Sequence, residues 1–145
     1  MKKIVCIIAV VLMIATAVYA QKKMAITAKD LPGMKGMWEG MLTFGVFEAG
    51  GSSACTLEIL NDTVPVKSIL TVRNVPDIVA QTMGVESGKN VFENDTGKLS
   101  SMGTLVFSQT GGKESFLEIS KLGDKKINLS YWYKGLRGEG TFKKK

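Results

Sequence analysis

From Gly36 onward the chain alternates apolar and polar residues with a period of two, and this pattern recurs in short runs separated by turn residues. A chain written this way is constrained to strands with one buried face. The first run, 38–47, places Trp38, Leu42, Phe44 and Val46 on one side. Ala49-Gly50-Gly51-Ser52-Ser53 reads as a turn, and Cys55, Leu57 and Ile59 line the next run. Asn61-Asp62-Thr63 is a second turn, because Asn and Asp bond their own backbone. Val66, Leu70 and Val72 face one way in a third run over 66–75.

The period then changes. Val75, Ile78, Val79 and Met83 fall at helical spacing, with Asn74 or Asn74-Val75-Pro76 to open the segment and Gly84 to close it, which predicts a short helix over 76–83. Residues 89–94 are a weak fourth strand ending in the turn Asn94-Asp95-Thr96-Gly97. Strands follow over 99–109, 114–121, 126–133 and 136–143, with turns at Gly111-Gly112, Leu122-Gly123-Asp124 and Gly135. Seven or eight strands joined by short loops are antiparallel neighbours. The predicted fold is all-β, a single antiparallel up-and-down β-barrel of seven or eight strands with one short helix. Eight strands suffice for closure, which removes exposed edges; a β-sandwich is the alternative.

Residues 1–20 do not belong to this domain. Lys2 and Lys3 precede an uncharged apolar stretch over 4–15, and Val18 and Ala20 occupy the −3 and −1 positions of a small-residue cleavage site before Gln21. This is a cleavable signal peptide of bacterial appearance, and it predicts a periplasmic or secreted protein. The apolar stretch is short for a membrane span, so the chain is not expected to be an integral membrane protein. Residues 21–35, with Pro32 and Gly33, read as an N-terminal arm, and 36–145 as the barrel domain.

Removing 20 of 145 residues leaves 125, enough for one domain with a substantial core. Those 125 carry 17 basic and 13 acidic residues, and five of the basic ones are the terminal Lys22, Lys23, Lys143, Lys144 and Lys145. The body is therefore near neutral, which argues against a nucleic-acid partner. The tails have the charge to touch an anionic membrane or cell-wall polymer, although solvated ends are the simpler account. Cys55 is the one cysteine after residue 20, so no internal disulfide forms. No histidine is present, which removes the usual general base and the usual transition-metal ligand.

Gly36-Met37-Trp38 at the start of the first strand resembles the G-x-W opening of lipocalin-like, calycin-type barrels, and Arg137 stands at the start of the last strand. Trp38-Glu39-Gly40 and Gly138-Glu139-Gly140 are similar to the looser pattern of small exported bacterial β-barrel proteins. The resemblance covers the two ends of the domain. It implies that Arg137 packs over Trp38 to plug one barrel end, and that the barrel binds a small apolar ligand. It transfers no ligand residue.

From the alternation itself, Phe44, Phe107, Tyr131 and Tyr133 are inward aromatics, and Ile78, Val79 and Met83 are placed to cover the mouth. The candidate ligand-binding set is Phe44, Ile78, Met83, Phe107, Tyr131 and Tyr133; Trp38 and Arg137 are the structural closure pair. A barrel that holds a ligand needs a void of about 300 Å³ or more, and a packed, dry interior argues against one. No cofactor is called for. Met34, Met37 and Met41 are close in sequence, but Met37 and Met41 are too far apart on a strand to share a copper ion. Glu58 and Glu118 are mid-strand acids flanked by apolar residues, so they point outward and make a poor catalytic pair. The expectation is a non-enzymatic binding protein. The alternative is an envelope protein-interaction module or an inhibitor of an exported enzyme, which predicts an exposed apolar patch including Phe47 and Trp132.

Overall fold

The computed structural model describes residues 22–46, 49–84, 86–108, 115–133 and 136–145. The predicted leader, Phe47, the predicted turn at 111–112 and Gly135 lie outside these, as do the side chains of Met83 and Tyr133. Eight strands form one closed antiparallel barrel in sequence order: β1 (Gly36–Val46), β2 (Ala49–Ile59), β3 (Val66–Val75), β4 (Gly88–Leu99), β5 (Leu105–Ser108), β6 (Ser115–Gly123), β7 (Lys126–Tyr133) and β8 (Leu136–Lys144). Two short helices, α1 (Leu31–Met34) and α2 (Asp77–Met83), sit before β1 and between β3 and β4. No helix among the described residues is long and apolar enough to cross a membrane.

Period two builds this barrel directly. Leu42, Leu57, Phe107, Ile119, Ile127, Leu129 and Phe142 are all fully buried, each flanked along its strand by more exposed residues. Closure joins β1 to β8, with Trp38 opposite Lys144 and Gly45 opposite Arg137. The seam is tight. A Cβ placed on Gly140 would stand 1.8 Å from the Met41 carbonyl oxygen, so the backbones meet where a side chain is missing.

Three local expectations change. Residues 49–53 extend β2 instead of turning, with Gly45 opposite Gly50. A Cβ on Gly50 would fall 1.9 Å from the Phe44 carbonyl oxygen, so the small residues serve close strand approach there. Asn94 to Gly97 lie inside β4 at a bulge, where Ser68 faces Asn94 and Val66 faces Gly97. The run over 99–109 is broken by a turn at 100–103, closed by a Gly103 N–H to Ser100 carbonyl bond of 3.1 Å and by Gly103 in the left-handed region at φ +73°. The helix over 76–83 is α2, which begins after Pro76 and ends on left-handed Gly84.

Residues 22–35 dock on the barrel end where β1 begins. Ile26, Leu31 and Met34 are buried there. Backbone bonds tie Met24 N–H to the Lys121 carbonyl and Ile26 N–H to the Gly103 carbonyl, both at 2.8 Å. The segment's apolar residues are too few to show a period, so its packing was invisible to pattern reading.

Candidate functional site

The two barrel ends are built differently. At the arm end Trp38, 1% exposed, donates its indole N–H to the Met34 carbonyl at 2.7 Å. The Lys144 ammonium stands 5.7 Å from the Trp38 ring centroid and donates to the Gly33 carbonyl. Asp30 takes a 2.8 Å ion pair from Lys121, and Thr27 donates to it from both its N–H and its hydroxyl. The Lys121 bond is the main reason the Asp30 carboxyl is held well below the usual carboxylate range, with the Thr27 bonds adding to it. Lys121 is raised by the same partner.

The Trp38–Arg137 pair expected from the resemblance is not formed. Arg137 opposes Gly45, at the far end of the seam from Trp38. Its guanidinium lies 5.5 Å from the Trp132 ring centroid on the outer surface and 3.3 Å from Glu139. Lys144, a residue the sequence reading assigned to a solvated tail, covers Trp38 instead. The register of β8 decides this, because the last strand runs on to Lys144 before it meets the start of the first.

At the opposite end α2 lies over the barrel with Val79 and Ala80 buried. Beneath it Leu42, Phe44, Leu70, Val72, Val75, Phe92 and Tyr131 converge around a cavity of about 10 Å³. Of the candidate ligand set, Phe44 and Tyr131 are here. Phe107 is inward and fully buried, but it packs against Val66 and Gly97 and does not line the cavity. Ile78 is not inward: it is 40% exposed on α2. A helix of seven residues, about two turns, turns Val79 and Ala80 inward together, which carries Ile78 away. Phe92 was missed. Its ring stands 6.4 Å from that of Tyr131, and its signal was the alternation of Asn90, Phe92 and Asn94 within a strand read as weak. Among the described residues no chamber of a few hundred cubic ångströms opens inside the barrel, because large side chains from opposite strands fill the lumen.

Other candidates separate cleanly. The Cys55 thiol is buried, pushed up to about 11 by that burial, and 3.3 Å from the Ser53 carbonyl. Met34 is buried under the arm, whereas Met37 and Met41 are exposed on the outside of β1. Glu58 and Glu118 alternate with buried neighbours on β2 and β6, so both face outward. Trp132 faces outward as expected, but it is stacked against Phe116 at 4.4 Å and flanked by Arg137, so its ring is clasped between its neighbours on adjacent strands. Ser68 is a buried polar group on the inner face of β3, and its hydroxyl has no hydrogen-bond partner in the protein. Neither family models nor curated proteins give a match to this chain.

Proposed function

We infer that the chain is an exported, non-enzymatic binding protein of lipocalin-like build, taking up a small apolar or amphipathic molecule at the α2 end. The carrying observation is the apolar lining beneath α2, six apolar residues and Tyr131 around a space of about 10 Å³. Sites for small molecules combine such a lining with few polar groups. The arm end is held by an ion pair and by bonds to main-chain carbonyls, so the α2 end is the one suited to admit a guest. At about 10 Å³ the closed chamber holds barely a water-sized probe. Uptake therefore requires α2 to swing on Pro76 and Gly84, carrying Val79 and Ala80 out of the mouth, and the Phe44, Phe92 and Tyr131 rings beneath it to repack.

The missing histidine, the buried Cys55 thiol and the outward Glu58 and Glu118 support a role without catalysis. The leader at 1–20 supports export. Native mass spectrometry of the protein recovered from its producing cells, followed by titration with an apolar fluorescent probe, tests the reading. The expected result is a retained or titratable small molecule that slows hydrogen exchange over 77–84. A protein partner in place of a small molecule favours an envelope interaction module. No bound molecule and unchanged exchange across the probe titration would sink the binding reading.

A further inference from the structure

The fold sorts the chain's charge between the two barrel ends. The arm end is formed by residues 22–39, 58–67, 93–105, 119–128 and 142–145, Glu93 lying with Leu60, Lys67 and Asp95. These segments hold twelve lysines and seven carboxylates. The other described residues hold three basic side chains, Arg73, Lys89 and Arg137, and four acidic ones, Asp77, Glu86, Glu118 and Glu139. Antiparallel order produces this sorting: β1 begins and β8 ends at the same place, so Lys22 and Lys23 join Lys143 and Lys145 there, and the β6–β7 turn adds Lys125 and Lys126. Ten of the twelve lysines make no ion pair among the described residues; the exceptions are Lys121 and Lys145.

Apolar side chains project from the same end. Met102, in the β4–β5 connection, is 80% exposed, and Val64, in the β2–β3 connection, is 50% exposed. Met24 on the arm and Leu60 beside Val64 are 47% and 40% exposed. Basic residues around protruding apolar tips combine the two attractions that hold a protein to an anionic membrane surface.

We propose that the arm end is a docking face for an anionic phospholipid bilayer. The lysines draw it to the headgroups, and Val64 and Met102 enter the boundary below them. A soluble polyanion would gain from the lysines but nothing from the apolar tips. A second copy of the chain would meet like charge. The α2 end, whose described residues are close to neutral, points away from the membrane. The proposal is independent of whether a small molecule binds under α2.

The test is sedimentation with vesicles of phosphatidylcholine alone or mixed with phosphatidylglycerol. The full chain is expressed with its own leader, and intact mass fixes the N-terminus of the recovered protein so that an apolar leader cannot account for binding. Binding to the anionic vesicles alone is expected, weakening as salt shortens the Debye length from about 8 Å toward about 3 Å. The triple change Lys125→Glu, Lys126→Glu and Lys143→Glu is expected to weaken it roughly a hundredfold. Val64→Asp with Met102→Asp should weaken it about tenfold. Lys89→Glu, outside the basic end, should leave it unchanged, and circular dichroism melts confirm that each variant folds. The proposal is overturned by equal binding to neutral vesicles, by no binding to anionic ones, or by indifference to the lysine changes. It is also overturned if soluble polyphosphate competes fully and the Val64/Met102 variant binds like the parent, which would make the face a polyanion site.

Discussion

Trp38 offers the sharpest test of how the barrel is plugged. Trp38→Phe keeps an aromatic ring in the core but removes the indole N–H that the buried Met34 carbonyl accepts at 2.7 Å. Leaving that carbonyl unmatched costs about 1–3 kcal/mol, and the smaller ring adds about 1 kcal/mol of imperfect packing. The expected loss is about 2–4 kcal/mol, or a fall in Tm of roughly 6–15 °C for a domain of this size. A double-mutant cycle then asks which cation the ring feels. With Lys144 5.7 Å from the ring centroid, Trp38→Leu and Lys144→Met should couple by about 0.5–1 kcal/mol. Arg137 lies seven positions up β8 from Lys144, roughly 20 Å away along the strand, so Trp38→Leu and Arg137→Met should simply add. Urea melts of the two singles and the double in each cycle give the answer. Coupling to Arg137 and additivity with Lys144 would refute the β1–β8 register argued above.

Gly140→Ala forces a Cβ against the Met41 carbonyl oxygen, 1.8 Å away in the present geometry; it should destabilise by about 3 kcal/mol or more, whereas Gly123→Ala, with open space around it, should melt close to the parent. Ser68→Ala removes a buried hydroxyl that has no partner in the protein and should stabilise by about 1 kcal/mol; a lower urea midpoint would show that the hydroxyl is satisfied. Asp30→Asn tests the ion pair through pH. The Asp30 carboxyl is depressed in the folded state, so its stabilisation is present above the unfolded value of about 3.9 and is lost as pH falls below it toward the folded value. Lys121 is raised, so its share is present below about 10.4 and lost as pH rises through the folded value. The Tm gap between parent and Asp30→Asn should hold steady between about pH 5 and 9 and close below about pH 4; a gap that closes near neutrality contradicts the pairing.

The barrel itself was legible because its signal is local. Cys55, Leu57 and Ile59 reveal an inward face without knowledge of any partner strand, and Pro76 and Gly84 bracket α2 by backbone chemistry alone. Glycine was harder to read. Gly50 and Gly51 look like a turn in isolation, and only the position of the Phe44 carbonyl shows that they are strand residues admitting a close neighbour. The site was less legible than the fold. Phe44 and Tyr131 are where alternation puts them, but Phe107 and Phe92 exchanged roles because cavity position depends on height along the barrel, which a period of two does not encode. Lys144 and Arg137 show the same limit. Which cation reaches Trp38 is set by the shear of the closing seam, a property of all eight strands together.

The closing seam has a further consequence, for the timing of folding. The Lys145 to Glu39 ion pair spans 106 residues of sequence, and every β1–β8 contact is of comparable range. Until residues 136–144 are free to pair, β1 has only β2 as a neighbour, and the strands form an open sheet with two unpaired edges. The loop that must close is nearly the whole domain, so closure is entropically late and the chain belongs among slow folders of high contact order. A chain threaded through a membrane N-terminus first would stay open, and so translocatable, until its last strand emerged.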